Sequence, residues 1–232
     1  MDKQYRLIRF LFRGLFLVSA LFLLFSCDES LNESQINTVT DVDGNVYLTV
    51  QIGDQLWMAE NLKTIHYRNG DAISKISDNT EWINNTNSGA YCYYKNNSDH
   101  KDVYGCLYNW GAVKDNRKIA PEGWHIPGDP EWRELIEFLG GSNVAGGKMK
   151  EEGTTHWLSP NTGATNESGF TALPGGDRDG TGIFLNMGIG GIFWSSTDSS
   201  YYARGLHHNT AAVLFHGYYH NAGYSVRCIK DK

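Results

Sequence analysis

Residues 39–232 predict an α+β domain, on three observations. Alternating apolar and polar residues fill both ends of the span, as strands facing a core on one side require. Helical patterns sit between them, one with a full set of start and stop signals. The chain's 26 glycines, all but Gly14 within this span, against five prolines suggest short strands joined by irregular loops. With the helical patterns, the expected architecture is short mixed or antiparallel sheets with two to three helices and long irregular loops. Helices in the middle and strands at both ends place the termini of the domain in one sheet.

From Val39 to Trp57 the alternation surrounds two turn signals, Asp43-Gly44 and Gly53-Asp54, and predicts a meander of short strands. Asp41, Asp43 and Asn45 imitate the start of a calcium loop, but its spaced ligands and distal Glu are missing, so turn chemistry explains them better. Residues 64–100 are loop-rich, with a strand expected at Ala90 to Tyr94. Leu107, Trp110 and Val113 fall at helical spacing, which predicts a short buried helix from Tyr104 to Val113.

The clearest helix runs from Asp129 to Gly140. Asp129 suits the cap, Pro130 the first turn and Gly140 the left-handed stop, while Trp132, Leu135, Ile136 and Leu139 form one apolar stripe. A further helix is expected over Ala145 to Glu152, weakened by Gly146 and Gly147. Strands and glycine-rich loops return at Gly169–Gly176, Gly191–Thr197 and Arg204–Cys228.

The N-terminus carries Lys3, Arg6, Arg9 and Arg13, then a mostly apolar run from Gly14 to Phe25. That run is too short to span a bilayer and has the form of a secretory signal. It ends in Leu24-Phe25-Ser26-Cys27, which resembles the lipobox of bacterial lipoproteins; an ordinary cleaved signal or a short anchor is the alternative. The expected organisation is a signal peptide over residues 1–26, a tether over 27–38 lipidated at Cys27, and the domain. A lipid on Cys27 makes the membrane a partner. Asp28-Glu29-Ser30 resembles the signal that sends lipoproteins to the outer face of the outer membrane in one bacterial phylum, although in other bacteria an Asp there reads as inner-membrane retention. An outer-membrane, surface-exposed lipoprotein is the favoured expectation.

Loss of residues 1–26 removes four basic groups and one acidic group, moving the formal charge from −6 to −9. An acidic domain without a basic run is a poor partner for nucleic acid. Cys92, Cys106 and Cys228 remain, in a compartment that permits disulfides, and spacing does not choose among their three pairings. None is close enough to another in sequence for a zinc motif. No cofactor is expected; calcium stays open but has no motif to support it.

Gly123-Trp-His-Ile-Pro-Gly-Asp-Pro-Glu-Trp132 resembles the Fibrobacter succinogenes major paralogous domain. So do Asp41–Tyr47, Trp57-Met-Ala-Glu-Asn-Leu-Lys63, Tyr104–Trp110, Gly146-Gly-Lys-Met-Lys150, Thr165–Gly176, Trp194-Ser-Ser-Thr197 and Ser225-Val-Arg-Cys228. That family is similar in turn to the sulfatase-modifying, formylglycine-generating branch of the C-type lectin fold, which implies a C-type-lectin-like architecture with adjacent termini. The oxidase branch needs a reactive cysteine pair that these cysteines do not match, so an enzyme is not expected. The sugar-binding motifs of calcium-dependent lectins are also missing, and Asp177-Arg-Asp-Gly180 reads as a turn. Family resemblance favours a Cys92–Cys228 bridge, with Cys106–Cys228 as the runner-up.

Four of the eight histidines lie between Arg204 and Cys228. On strands His207 and His208 face opposite ways, and His216 and His220 are roughly 13 Å apart, so no pair on one strand reaches a common metal; a site across strands stays open. With scaffold residues set aside, Tyr201, Tyr202, His207, His208, Asn209, His216, Tyr218, Tyr219, His220 and Asn221 have the composition of a binding surface. Solvated edge and loop residues are the plain alternative. The patch also resembles retroelement-diversified ligand-binding proteins, which place such residues near the C-terminus of a lectin-like fold. The expected function is a ligand-binding or adhesion module recognising a glycan or a cell-surface protein. A structural envelope component without a dedicated site, or an enzyme on the sulfatase-modifying fold, is the alternative.

Overall fold

The computed structural model describes residues 37–85, 87–197, 203–217 and 221–232. The expected signal, Cys27 and residues 28–36 of the tether lie outside the described residues, as do Tyr201, Tyr202, Tyr218, Tyr219 and His220.

The domain is mixed α+β with short, largely antiparallel sheets. The meander forms as expected: β1 (Thr38–Thr40), β2 (Val46–Ile52) and β3 (Gln55–Met58) pair in sequence, from Thr40 against Val46 to Ile52 against Gln55. β1 includes Thr38, the last residue of the expected tether. Asp41 is used for turn chemistry: Oδ1 accepts from the N–H groups of Asp43 and Asn45, both at 2.9 Å, and Oδ2 from the Tyr47 hydroxyl at 2.6 Å.

After a long loop come β4 (Ser74–Lys75), α1 (Asn79–Asn84) and β5 (Ala90–Cys92). The single helix expected over Tyr104–Val113 is instead three elements: α2 (Lys101–Tyr104), β6 (Leu107–Tyr108) and α3 (Trp110–Val113). Gly105, at φ +77°, ends α2, and Leu107 pairs with Cys92 of β5. The Asn109 side chain then caps α3, accepting from Ala112 N–H at 3.0 Å and from Ala90 N–H at 2.8 Å. Leu107, Trp110 and Val113 are buried, but by a strand and a helix rather than by one helical stripe.

β7 (Trp124–His125) leads into α4 (Asp129–Phe138). Gly128, not Asp129, is the cap, and its N–H donates to Glu131 Oε2 at 2.6 Å. Asp129 is thereby displaced into the first turn and its carboxylate is available elsewhere. Trp132, Leu135, Ile136 and Leu139 are buried as the stripe predicts, and Gly140 takes φ +101°. α5 (Ser142–Met149) begins and ends three residues before the expected bounds. A side chain at Gly146 or Gly147 would collide with backbone of Ala211, Ala212 or Gly163, so close approach explains these two helical glycines.

β8 (Gly175–Arg178), β9 (Phe184–Met187), β10 (Gly190–Trp194), β11 (Ala203–His207), β12 (Val213–His216) and β13 (Ile229–Lys230) complete the chain. The described strands form sheets ordered β1-β2-β3-β13-β7, β12-β11-β10-β8-β9 and β4-β5-β6. Ile229 of β13 pairs with both Trp57 and His125, so the domain's ends do meet in one sheet. Bridges from Tyr224 to Tyr108 and from Ser225 to Phe193 tie the last stretch to the other two sheets. One core cluster centres on Tyr108, Trp194 and Val226; another, around Trp57, Trp132 and Phe170, holds α4 and α5 against β10–β12.

Candidate functional site

Of the predicted patch, His207 and His216 lie on the strands of the β11–β12 hairpin and His208 and Asn209 in the loop between them; Ala203 pairs with His216 and Leu206 with Val213. Directly opposed residues share a face of the sheet. One face therefore carries Ala203, Gly205, His207 and His216, and the other carries Arg204, Leu206, Val213 and Phe215. Leu206 and Val213 enter the core.

On the first face the imidazoles of His207 and His216 stack, with centroids 5.8 Å apart and planes inclined by 14°. A side chain at Gly205 would collide with the His216 ring, so this glycine makes the stack possible. Both Nε2 atoms are buried without a hydrogen-bond partner among the described residues. Burial holds both imidazoles below the usual histidine range; proximity to His208 and Lys150 adds to this for His207, and proximity to His207 for His216. The strands thus bring together two histidines that sequence spacing kept apart, as a stack rather than as converging metal ligands. Among the described residues no three His, Cys, Asp or Glu side chains form a metal-holding group.

The rest of the described patch is more ordinary. His208 Nδ1 lies 3.0 Å from Ser159 O, and Asn209 is an exposed turn residue. Asn221 Nδ2 donates to Gly180 O at 2.7 Å, and its carbonyl accepts from the Trp82 indole at 2.6 Å, so it braces neighbouring segments. The turn expected at Asp177–Gly180 begins later: Asp177 and Arg178 belong to β8, and Asp179 closes the turn that follows, accepting from Thr181 and Ile183 N–H. Asp177 behind it is buried, which pushes its carboxyl up to about 6 despite the Asn186 hydrogen bond.

On the second face a groove of about 320 Å³ opens between the hairpin and α4. Asp129, Arg133 and Glu137 recur every four residues and so line it along one side of the helix. Arg204 and Phe215, opposed across the hairpin, form the other wall, and Gly141 and Ser142 close the end. Arg204 Nη2 donates to Asp129 Oδ1 at 2.8 Å, and Ser195 Oγ donates to the same oxygen at 2.7 Å. The Arg204 guanidinium lies 4.7 Å from the centroid of Phe215, whose residue surface stays 53 % exposed. An open aromatic ring thus stands beside a buried ion pair and two rim charges. Sequence reading missed this groove because Phe215 looks like one more apolar strand residue; the available signal was Arg204 standing between the small Ala203 and Gly205 in a strand that enters the core at Leu206.

The cysteines correct the expected disulfide. Cys92, Cys106 and Cys228 are buried free thiols, and neither the Cys92–Cys228 nor the Cys106–Cys228 bridge is formed. Alternation along β5 turns Cys92 toward Trp82 and Leu107, whereas Cys106 and Cys228 belong to the cluster of Tyr108 and Trp194. Burial raises Cys92 and Cys106 to about 12 and raises Cys228 as well.

A model of the Fibrobacter succinogenes major domain matches residues 50–230. The chain belongs to that family. No curated protein and no solved structure matches the chain.

The sequence blocks resembling the Fibrobacter succinogenes major domain have structural roles. Arg227, completely buried, donates to Asn61 Oδ1 at 2.7 Å, Met58 O at 3.2 Å, Thr171 O at 3.0 Å and Phe170 O. It thereby joins the Trp57–Lys63, Thr165–Gly176 and Ser225–Cys228 blocks. Lys150, from the Gly146–Lys150 block, donates to Thr162 O, His207 O and Thr210 O at 2.9–3.0 Å and supports the hairpin. Burial lowers its ammonium to about 8. The exposed groove residues Arg133, Glu137 and Phe215 lie outside all of these blocks.

Proposed function

We propose that this domain is a recognition module whose ligand seats between α4 and the C-terminal hairpin. The observation that carries the reading is Phe215, more than half exposed beside the Arg204–Asp129 pair in a 320 Å³ groove. Small-ligand sites combine apolar surface with a few fixed polar groups in pockets of roughly 300–1,000 Å³. Here Ser195 and Arg204 hold Asp129 in place, which lowers the ordering cost of binding.

In this reading the fold is C-type-lectin-like, as the meeting of β13 with the N-terminal meander and the long central loops support. Lipidation at Cys27 tethers the domain to the outer membrane with its hairpin presented to ligand. The three buried thiols with raised pKa values argue against the reactive cysteine pair of the sulfatase-modifying oxidases.

The test is display of the purified chain on glycan and cell-surface-protein arrays beside the Phe215→Ala/Arg133→Ala variant. Capture by the wild type and its loss in the folded variant support recognition through the groove. Silence from a folded wild type favours a structural envelope role.

A further inference from the structure

The geometry points to a ligand class for the groove: a neutral glycan whose pyranose ring stacks on Phe215 while adjacent hydroxyls bind Arg133 and Glu137, without a bridging cation. This rests on the proposed recognition role and deepens it.

The balance of charge comes first. Arg133 and Arg204 face Asp129 and Glu137, so the lining is formally neutral, and Arg204 and Asp129 are already paired at 2.8 Å. An anionic ligand meets Glu137 and a cationic one Arg133, whereas a neutral polar ligand meets neither penalty. The two guanidiniums also oppose a calcium ion, and Asp129 Oδ1 already accepts from Arg204 and Ser195.

Hydrogen-bonding chemistry narrows the class. Arg133 only donates, and ionised Glu137 only accepts. Four residues apart on α4, they are neighbours on one helix face, and both are exposed. Each hydroxyl of a vicinal diol donates and accepts, so a diol satisfies both groups together. Ser142, also exposed at the closed end, adds a side chain with both capacities.

The apolar partner is Phe215. Its cost of exposure is relieved when a flat, hydrogen-covered ligand face covers it, and the axial hydrogens of a pyranose provide such a face. The groove volume, near the lower bound for small-ligand sites, has room for about one or two rings rather than an extended chain.

Isothermal titration and saturation-transfer NMR of the purified full-length chain test the assignment. The probes are the methyl glycosides of mannose, galactose and glucose and their neutral disaccharides, with glucuronic acid and glucosamine as charged comparisons, each with and without EDTA. At least one neutral probe is expected to bind equally well in EDTA and more tightly than the charged sugars. Phe215→Ala and Glu137→Ala are each expected to weaken it at least about tenfold, with Phe215→Tyr retaining it. No neutral binding by the folded chain, loss of binding in EDTA, or preference for a charged sugar overturns the ligand class. If a protein ligand from the arrays is lost in Phe215→Ala while no glycoside binds, the groove remains the site and the glycan assignment fails. If glycosides bind Phe215→Ala as well as wild type, both readings fail.

Discussion

Arg204 donates to Asp129 at 2.8 Å, joining the middle of the C-terminal hairpin to the first residue of α4. The two side chains keep 5 % and 21 % exposure, so the pair is largely withdrawn from water. Asp129→Ala leaves the guanidinium without that counter-ion and is expected to destabilise the domain by about 3 kcal/mol, the low end for breaking a buried pair. Phe215→Ala, at an exposed ring, is expected to change stability by about 1 kcal/mol or less. Urea unfolding of the two variants checks this difference, and equal losses contradict it.

Arg227 makes a stronger demand on the fold. Its planar guanidinium reaches acceptors on four residues at once, a pattern that a lysine ammonium does not reproduce. Arg227→Lys and Arg227→Met are both expected to destabilise by about 3 kcal/mol or more, since each leaves buried carbonyls unpaired. Thermal unfolding followed by circular dichroism gives the answer; a near-native Tm for Arg227→Lys contradicts the role.

The cysteines yield a prediction independent of ligand. Chain beginning at residue 28 is expected to show three titratable thiols in guanidinium without reductant, and almost none while folded. A single titratable thiol in denaturant indicates a bridge.

Acid is expected to loosen the hairpin face. His207 and His216 have folded pKa values below their unfolded value, about 6.5, so the unfolded chain takes up protons first and stability is lost as the pH falls below that value. Asp177 acts in the opposite sense: raised to about 6, its contribution is present below about 4 and is lost as the pH rises through the folded value. Urea midpoints between about pH 7 and pH 5 separate the two. His207→Gln/His216→Gln is expected to lose less stability on acidification than wild type, and Asp177→Asn more. An unchanged slope in the histidine variant contradicts the first assignment.

Helix α4 and the N-terminal meander were legible because their signals are local: a proline at the first turn, a glycine at the stop, turn dipeptides between alternating runs. The segment from Lys101 to Val113 was not, since Leu107, Trp110 and Val113 keep helical spacing while Gly105 and Asn109 divide the chain into separate elements. Of the site, the sequence pointed to His207, His208, Asn209 and His216, which the β11–β12 hairpin does carry. The groove was not, because it depends on strand register setting Phe215 opposite Arg204 and on Asp129 yielding the cap to Gly128. The disulfide expectation failed for a related reason: which face of β5 carries Cys92 depends on how that strand packs.

Hydrogen exchange of the full chain, with and without the ligand captured on the arrays, tests the central claim most directly. A ligand seated in the groove slows exchange over residues 133–145 and 203–216 and leaves the β1–β3 meander unchanged. Protection confined to the meander or to residues 90–104 would contradict a binding site between α4 and the C-terminal hairpin.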